Sequence, residues 1–228
     1  DTAQRVASDL DLTLDFTEHI LTRSTTIMQR VRELTVQMAN DSYSFDDRQA
    51  TGVEISGLKE EMIALANTEF NGRLLFSGQG NQDPPFDPVT GAFQGDNGQL
   101  EVAVGQTRFK ASLPGGEPFE DPLGGPSLFD TFDNVLTALG TSDGALISQS
   151  LADLDNASNR IDNARTEIGR TRNQLDVTVK TLEHFEDMTA EALSNNRDTD
   201  VIQAVMQLRE AETGLQAAMV ITSRLEGM

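Results

Sequence analysis

Residues 67–78 read NTEFNGRLLFSG. An Asn-Gly pair between apolar segments, here Asn71 and Gly72, is a strong local signal for a tight hairpin. Both central residues of a type I′ turn need positive φ, which Asn and Gly tolerate best. The stretch follows a long helical pattern and precedes a Gly- and Pro-rich region. It therefore predicts a small β-ribbon over 68–76, set at the end of a helical body.

Towards the N-terminus the pattern is helical from about Thr2 to Asn40. Leu14, Leu21 and Met28 fall seven apart, Ile20, Ile27 and Leu34 run beside them, and Leu10, Val31 and Met38 flank the stripe. The segment NDSYSFDD then breaks the period, and Ser44 with Asp47 forms the pattern of a capping box for a second helix. That helix runs to about Asn67, with Ile55, Leu58, Met62 and Leu65 on one face. Gly52 and Gly57 each cost it about 1 kcal/mol relative to Ala, and close approach by a neighbouring helix would justify them.

Residues 77–127 change character. SGQGNQDPPFDPVTGAFQGDNG and LPGGEPFEDPLGGP are turn chemistry, while QLEVAV and TRFKAS between them alternate as strands do. A second Asn-Gly pair, Asn97 and Gly98, is expected to join GAFQGD to QLEVAV as another hairpin. The segment reads as an inserted antiparallel β-domain too small to hold much core of its own. After it comes a short helix ending at Gly140. Leu154, Ile161, Ile168, Leu175 and Leu182 then sit seven apart, with Ala157, Ala164 and Phe185 beside them. A helix is expected from about Ala145 to Ala192, with Gly169 excused by a close backbone. SNNRDTD should break it before a last amphipathic helix carrying Val201, Val205, Leu208, Leu215 and Met219. The expected fold is mainly α with a small β insertion. Residues 1–76 and 128–228 make a long antiparallel helical bundle packed near +20°, and 77–127 make the inserted domain.

Composition narrows the function. A net charge of −20 opposes nucleic acid and anionic membrane surfaces, and no apolar run approaches the ~20 residues that span a bilayer. No signal-peptide pattern opens the chain, which starts inside a helical pattern on Asp1 and so reads as a piece of a longer protein. There is no Cys and no Trp. His19 and His184 stand beside acids on separate helices and read as solvated. Asp83, Asp87, Asp96 and Glu101 lack the spacing of an EF-hand and read as turn residues rather than calcium ligands. Gly78 and Gly80 start neither a dinucleotide fingerprint nor a P-loop. No catalytic, metal or cofactor constellation emerges.

MQRVRELTVQMAND (28–41) and EISGLKEEMIALANTEFNGRLLFSG (54–78) resemble the first helical blocks of bacterial flagellins and their hook-associated relatives. RLLFSG, with Phe76, is similar to the hook–filament junction proteins of the FlgL type, which favour an aromatic in NGRY-[LI]-F-[SA]-G. GQLEVAVGQTRFKASLPGGEPF, ARTEIGRTRNQLD (164–176) and LREAETGLQAAMVITSRL resemble later blocks of the same family. The resemblance implies a rod of packed helices capped by a small β-domain. It also implies end segments that form an inner coiled-coil tube only on polymerisation. Because those ends are missing here, a monomer is expected.

The implied role is structural: a secreted, extracellular component of the flagellum, adapting hook to filament, with no enzymatic activity and no cofactor. Its implied partners are other copies in a ring, the hook-side junction protein, flagellin, an export chaperone and the flagellar type III export apparatus. Flagellin itself shares the architecture. The short β-module and the LQAAM…TSRL ending disfavour it. A signalling coiled coil would lack the 77–127 insertion. Arg30, Arg32, Glu33 and Leu34 match a flagellin motif at a subunit contact, a surface that an innate immune receptor also reads. The alternative is that Leu34 is core and the charges are solvated.

Overall fold

The computed structural model describes residues 2–40, 42–80, 84–112, 116–141 and 143–226, and the side chains of all of these except 196–201 and 220–226. Four helices carry it: α1 (Thr2–Met38), α2 (Phe45–Ala66), α3 (Leu128–Thr141) and α4 (Gly144–Glu226). By contact density the chain divides into two compact units, Asp1–Thr178 and Val179–Met228.

In the first unit the stripe of α1 is the core. Leu10, Leu14, Ile20, Leu21, Ile27, Met28, Val31, Leu34 and Met38 are all buried. Ser44 caps α2 as a true capping box: its hydroxyl accepts from the Asp47 N–H, and its own N–H donates to the Asp47 carboxylate. Ion pairs fix the helix directions. Arg30 meets Glu54 and Arg23 meets Glu61, so α1 and α2 run antiparallel. Arg32 meets Asp155, while Arg172 gathers Asp11, Asp15 and Glu18, so α4 also runs antiparallel to α1. Lys59, nearly buried, bonds both Asp133 oxygens at 2.7 and 2.9 Å and ties α2 to α3. Arg48, also buried, reaches back to donate to the Met38 and Asn40 carbonyls, supplying partners where α1 runs out of its own.

The heptad positions Leu154, Ile161, Ile168 and Leu175 of α4 are buried, as are Ala157 and Ala164. In the second unit α4 exposes its apolar side chains: Phe185, Met188, Leu193, Leu208, Leu215 and Met219 are all exposed.

Strands β1 (Glu69–Phe70) and β2 (Arg73–Leu74) pair antiparallel, with Glu69 opposite Leu74 and Phe70 opposite Arg73. Asn71 and Gly72 turn the chain between them at φ of 51° and 76°. The ribbon is braced on α1, where Phe70 stacks on Phe16 with centroids 4.7 Å apart. Strands β3 (Glu101–Val104) and β4 (Thr107–Lys110) form a second two-stranded sheet that touches α1.

Several expectations are corrected. The second hairpin does not turn at Asn97 and Gly98; it turns between β3 and β4, where Gly105 takes φ of 61°. Asp96 explains the difference, because its carboxylate accepts the N–H groups of Gln79, Gly80 and Gly98 and so fastens that Asn-Gly pair into a loop. SNNRDTD does not break α4, which is continuous over Gly144–Glu226; the segment holds polar residues but no proline to stop it. The helical glycines Gly52, Gly57 and Gly169 are not sites of close backbone approach. A Cβ at Gly52 would meet only the Leu136 side chain at 3.8 Å, and at Gly57 or Gly169 it would meet open space.

The insertion leans on the helices, as expected, through a core that it shares with them. Phe76, Phe86, Phe93, Phe119 and Phe129 form one aromatic cluster, with neighbouring centroids 5.1–5.9 Å apart. Four of them are essentially fully buried. Asn67, at the end of α2, pairs both its amide groups with the backbone of Phe86 at 2.9 Å, fixing the cluster to the helix end. Ser127 and Asp130 cap α3 reciprocally and set Phe129 into the cluster.

Candidate functional site

The face of α1 around 30–34 is built by the helix period. Leu34 points inward and is 5% exposed. At 100° per residue Arg30 and Arg32 fall on opposite flanks of that buried stripe, with Glu33 outermost. Arg30 reaches the α2 flank, its Nε donating to Glu54 Oε1 at 2.8 Å. Arg32 reaches the α4 flank, its Nε donating to Asp155 Oδ1 at 2.6 Å. That hydrogen bond, and then the attraction of the same carboxylate, raises the Arg32 pKa above its ordinary value. Glu33 is 71% exposed and lies 3.9 Å from Arg30.

The four residues thus do not present one charged patch. They form an outward polar strip with an anchored arginine on each side and Glu33 between. Sequence alone placed them on α1. It could not show that the arginines' partners lie 24 and 123 residues away. Both bonds hold planar guanidinium groups in fixed positions, so the strip is a stiff surface rather than a set of free side chains. Such a surface can present hydrogen-bonding groups to another protein at low ordering cost.

Three of the four acids weighed for calcium, Asp87, Asp96 and Glu101, are occupied as turn acceptors or in cross-strand pairing. Asp87 takes the N–H groups of Val89 and Thr90 and the Thr90 hydroxyl, and Asp96 takes the three N–H groups described above. In both cases backbone hydrogen bonds lower the carboxyl pKa. Glu101 pairs with Arg108 at 3.5 Å, and Asp83 lies outside the described residues. His19 and His184 are exposed. Among the described residues no group of three or more His, Asp or Glu side chains is arranged to hold a metal ion, and no helix is long and apolar enough to cross a membrane.

Comparison with known proteins agrees with this architecture. Residues 1–81 match the bacterial flagellin N-terminal helical region, and 151–228 match the bacterial flagellin C-terminal helical region. Flagellin FlaB1 of Treponema pallidum is 26% identical over 217 residues, covering 92% of this chain and 70% of that protein. Flagellar hook-associated protein 3 of Salmonella typhimurium is 26% identical over 237 residues, covering 92% and 74%. The crystal structure of Bacillus cereus FlgL superposes with a TM-score of 0.68 at 26% identity, covering 82% of this chain and 90% of that one. Matched through both of its helical regions, which together make up well over half its length, the chain belongs to the flagellin family.

Proposed function

We propose that this chain, a structural component of the bacterial flagellum and not an enzyme, is the junction protein that adapts the hook to the filament and seats flagellin polymerisation. The observation that carries this reading is the fold shared with a FlgL over nine-tenths of that protein's length. Phe76 supports it. The aromatic that distinguishes RLLFSG from the flagellin pattern is fully buried against Phe119, so it belongs to the architecture of the insertion rather than to chance. On this reading 1–76 and 128–228 are the helical core and 77–127 the inserted domain.

The protein works outside the cell, as a ring of copies between the hook-side junction protein and flagellin. It arrives through the flagellar type III export apparatus with the help of a chaperone. The strip at Arg30, Arg32 and Glu33 lies at a subunit contact, with Leu34 holding it from beneath. The competing reading is flagellin itself, since the identity to FlaB1 equals that to hook-associated protein 3.

Deleting the gene separates the two. Hooks without filaments, with flagellin released into the medium, are expected. Disappearance of the filament subunit from both cells and medium would refute the junction role.

A further inference from the structure

Two Asn-Gly pairs occur in the chain, Asn71–Gly72 and Asn97–Gly98, and the fold treats them differently. Such a pair carries both of its own reactive atoms. The glycine nitrogen is the nucleophile, the asparagine side-chain carbon Cγ is the electrophile, and glycine has no Cβ to crowd the approach. The backbone decides whether the two atoms meet, because ring closure needs a near-attack geometry.

At Asn71 the backbone forbids it. Its φ of 51° is left-handed, and in that region the following nitrogen is turned to the side opposite Cβ. The β1–β2 pairing holds the turn in that state. Attack there requires the hairpin to open first.

Asn97 is under no such restraint. Among the described non-glycine residues Asn71 alone has positive φ, so Asn97 lies outside the left-handed region. It is exposed, it belongs to no strand, and no hydrogen bond ties its side chain to a described residue. The Gly98 N–H donates to Asp96 Oδ1 at 2.6 Å, and this bond does not block the reaction. A hydrogen bond lies in the peptide plane, whereas the nitrogen attacks through the face perpendicular to that plane. The carboxylate stands where the departing proton has to go.

We propose that Asn97–Gly98 is a site of self-modification, at which Asn97 is converted to aspartate and isoaspartate while Asn71 is spared. The Gly98 nitrogen bonds to Asn97 Cγ, and its proton passes to the Asp96 carboxylate. The side-chain amide then leaves with that proton as ammonia, and a five-membered succinimide remains. Water opens the ring at either carbonyl. Breaking the bond from Cγ to nitrogen gives aspartate; breaking the one from the main-chain carbonyl gives isoaspartate, whose main chain runs through the side chain. Asp96 straps this loop by accepting the N–H groups of Gln79, Gly80 and Gly98, and the Gln79 side chain donates to the Gln99 carbonyl. A new carboxylate beside Asp96 opposes that strap by like-charge repulsion, and isoaspartate also lengthens the main chain within it. Each copy thus carries a slow, irreversible change in its insertion, whichever member of the family it is.

The test incubates the purified chain in neutral buffer, folded and in denaturing urea, and follows its trypsin peptides by mass spectrometry. Peptide 60–73 reports Asn71 and peptide 74–108 reports Asn97, with fragment spectra assigning the converted residue. In the folded chain Asn97 is expected to convert about tenfold faster than Asn71, the factor imposed by opening a turn against one net hydrogen bond. In urea the two rates should converge. The converted chain should exchange hydrogen faster at the Gln79 and Gly80 amides. Asn97→Gln, whose longer side chain closes a ring poorly, should suppress both changes. Equal rates in the folded chain, or faster conversion at Asn71, would overturn the proposal. So would a preference for Asn97 that persists in urea, since sequence rather than fold would then be its cause. A folded chain that keeps Asn97 intact while the urea sample converts would overturn it as well.

Discussion

Replacing Phe119 by Ala tests whether the insertion and the helices are one cooperative structure. Phe119 is fully buried and touches Phe76 and Phe86 edge-on, at 5.1 and 5.2 Å, and stacks on Phe129 at 5.9 Å. Phe76 precedes the insertion and Phe129 follows it, so this one ring joins the two crossing points. Truncating a packed Phe costs about 3–5 kcal/mol, from lost transfer energy and the cavity left behind. Since domains retain only about 5–15 kcal/mol in total, this is a large share. With a urea slope of about 2–3 kcal/mol per molar, the midpoint should fall by on the order of 1–2 M. Urea titrations followed by circular dichroism measure it, with Phe119→Leu as a control that keeps most of the volume and should shift far less. A shift worth under about 1 kcal/mol would refute the reasoning. So would helices that melt unchanged while 77–127 alone loosens.

Three further outcomes follow from other contacts. Arg48→Ala removes charged hydrogen bonds to the Met38 and Asn40 carbonyls and should cost about 1.5–3 kcal/mol, read from thermal unfolding; an unchanged melting temperature would mean that water replaces the guanidinium freely. Gly91→Ala forces a side chain into positive φ at 80°, with its Cβ driven into the Phe129 ring, so it should cost at least ~1–2 kcal/mol by the same measurement. The Asp96 carboxyl should titrate below the usual value of 3.8, because the Gln79, Gly80 and Gly98 N–H groups favour its charged form. A folded pKa below the unfolded one gives stability that is complete above about pH 4 and lost as pH falls through the folded value. NMR titration finding Asp96 at or above the free-residue value would contradict this.

The long elements were legible because their signals are periodic and local. The stripe of α1, the Ser44–Asp47 box and the Asn71–Gly72 turn each occupy one short window, and each needs only its own residues to be satisfied. The errors arose where a distant residue decides. Asn97–Gly98 has the same local signal as Asn71–Gly72, but Asp96 claims the amide of Gly98 and those of Gln79 and Gly80 from further back. The aromatic cluster has no period at all, because its members are scattered from Phe76 to Phe129 and only folding brings them together. The partners of the residues at 30–34 were illegible for the same reason. Helix geometry places Arg30 and Arg32 on α1, but which acids hold them is a tertiary fact. A polar run such as SNNRDTD lowers helix propensity without forbidding a helix.

The way Phe76 and Phe129 meet on Phe119 has an evolutionary consequence. A segment whose two stems are clasped at its base imposes no fixed length on whatever lies beyond the clasp. Doubling a flexible loop adds only about 0.6 kcal/mol of closure entropy. The exposed tips around Val89 and Leu123, 81% and 94% accessible, can therefore lengthen, shorten or be exchanged wholesale while the helices keep their register. Lineages can remodel the outward decoration of such a subunit quickly, provided that the aromatic clasp is inherited intact.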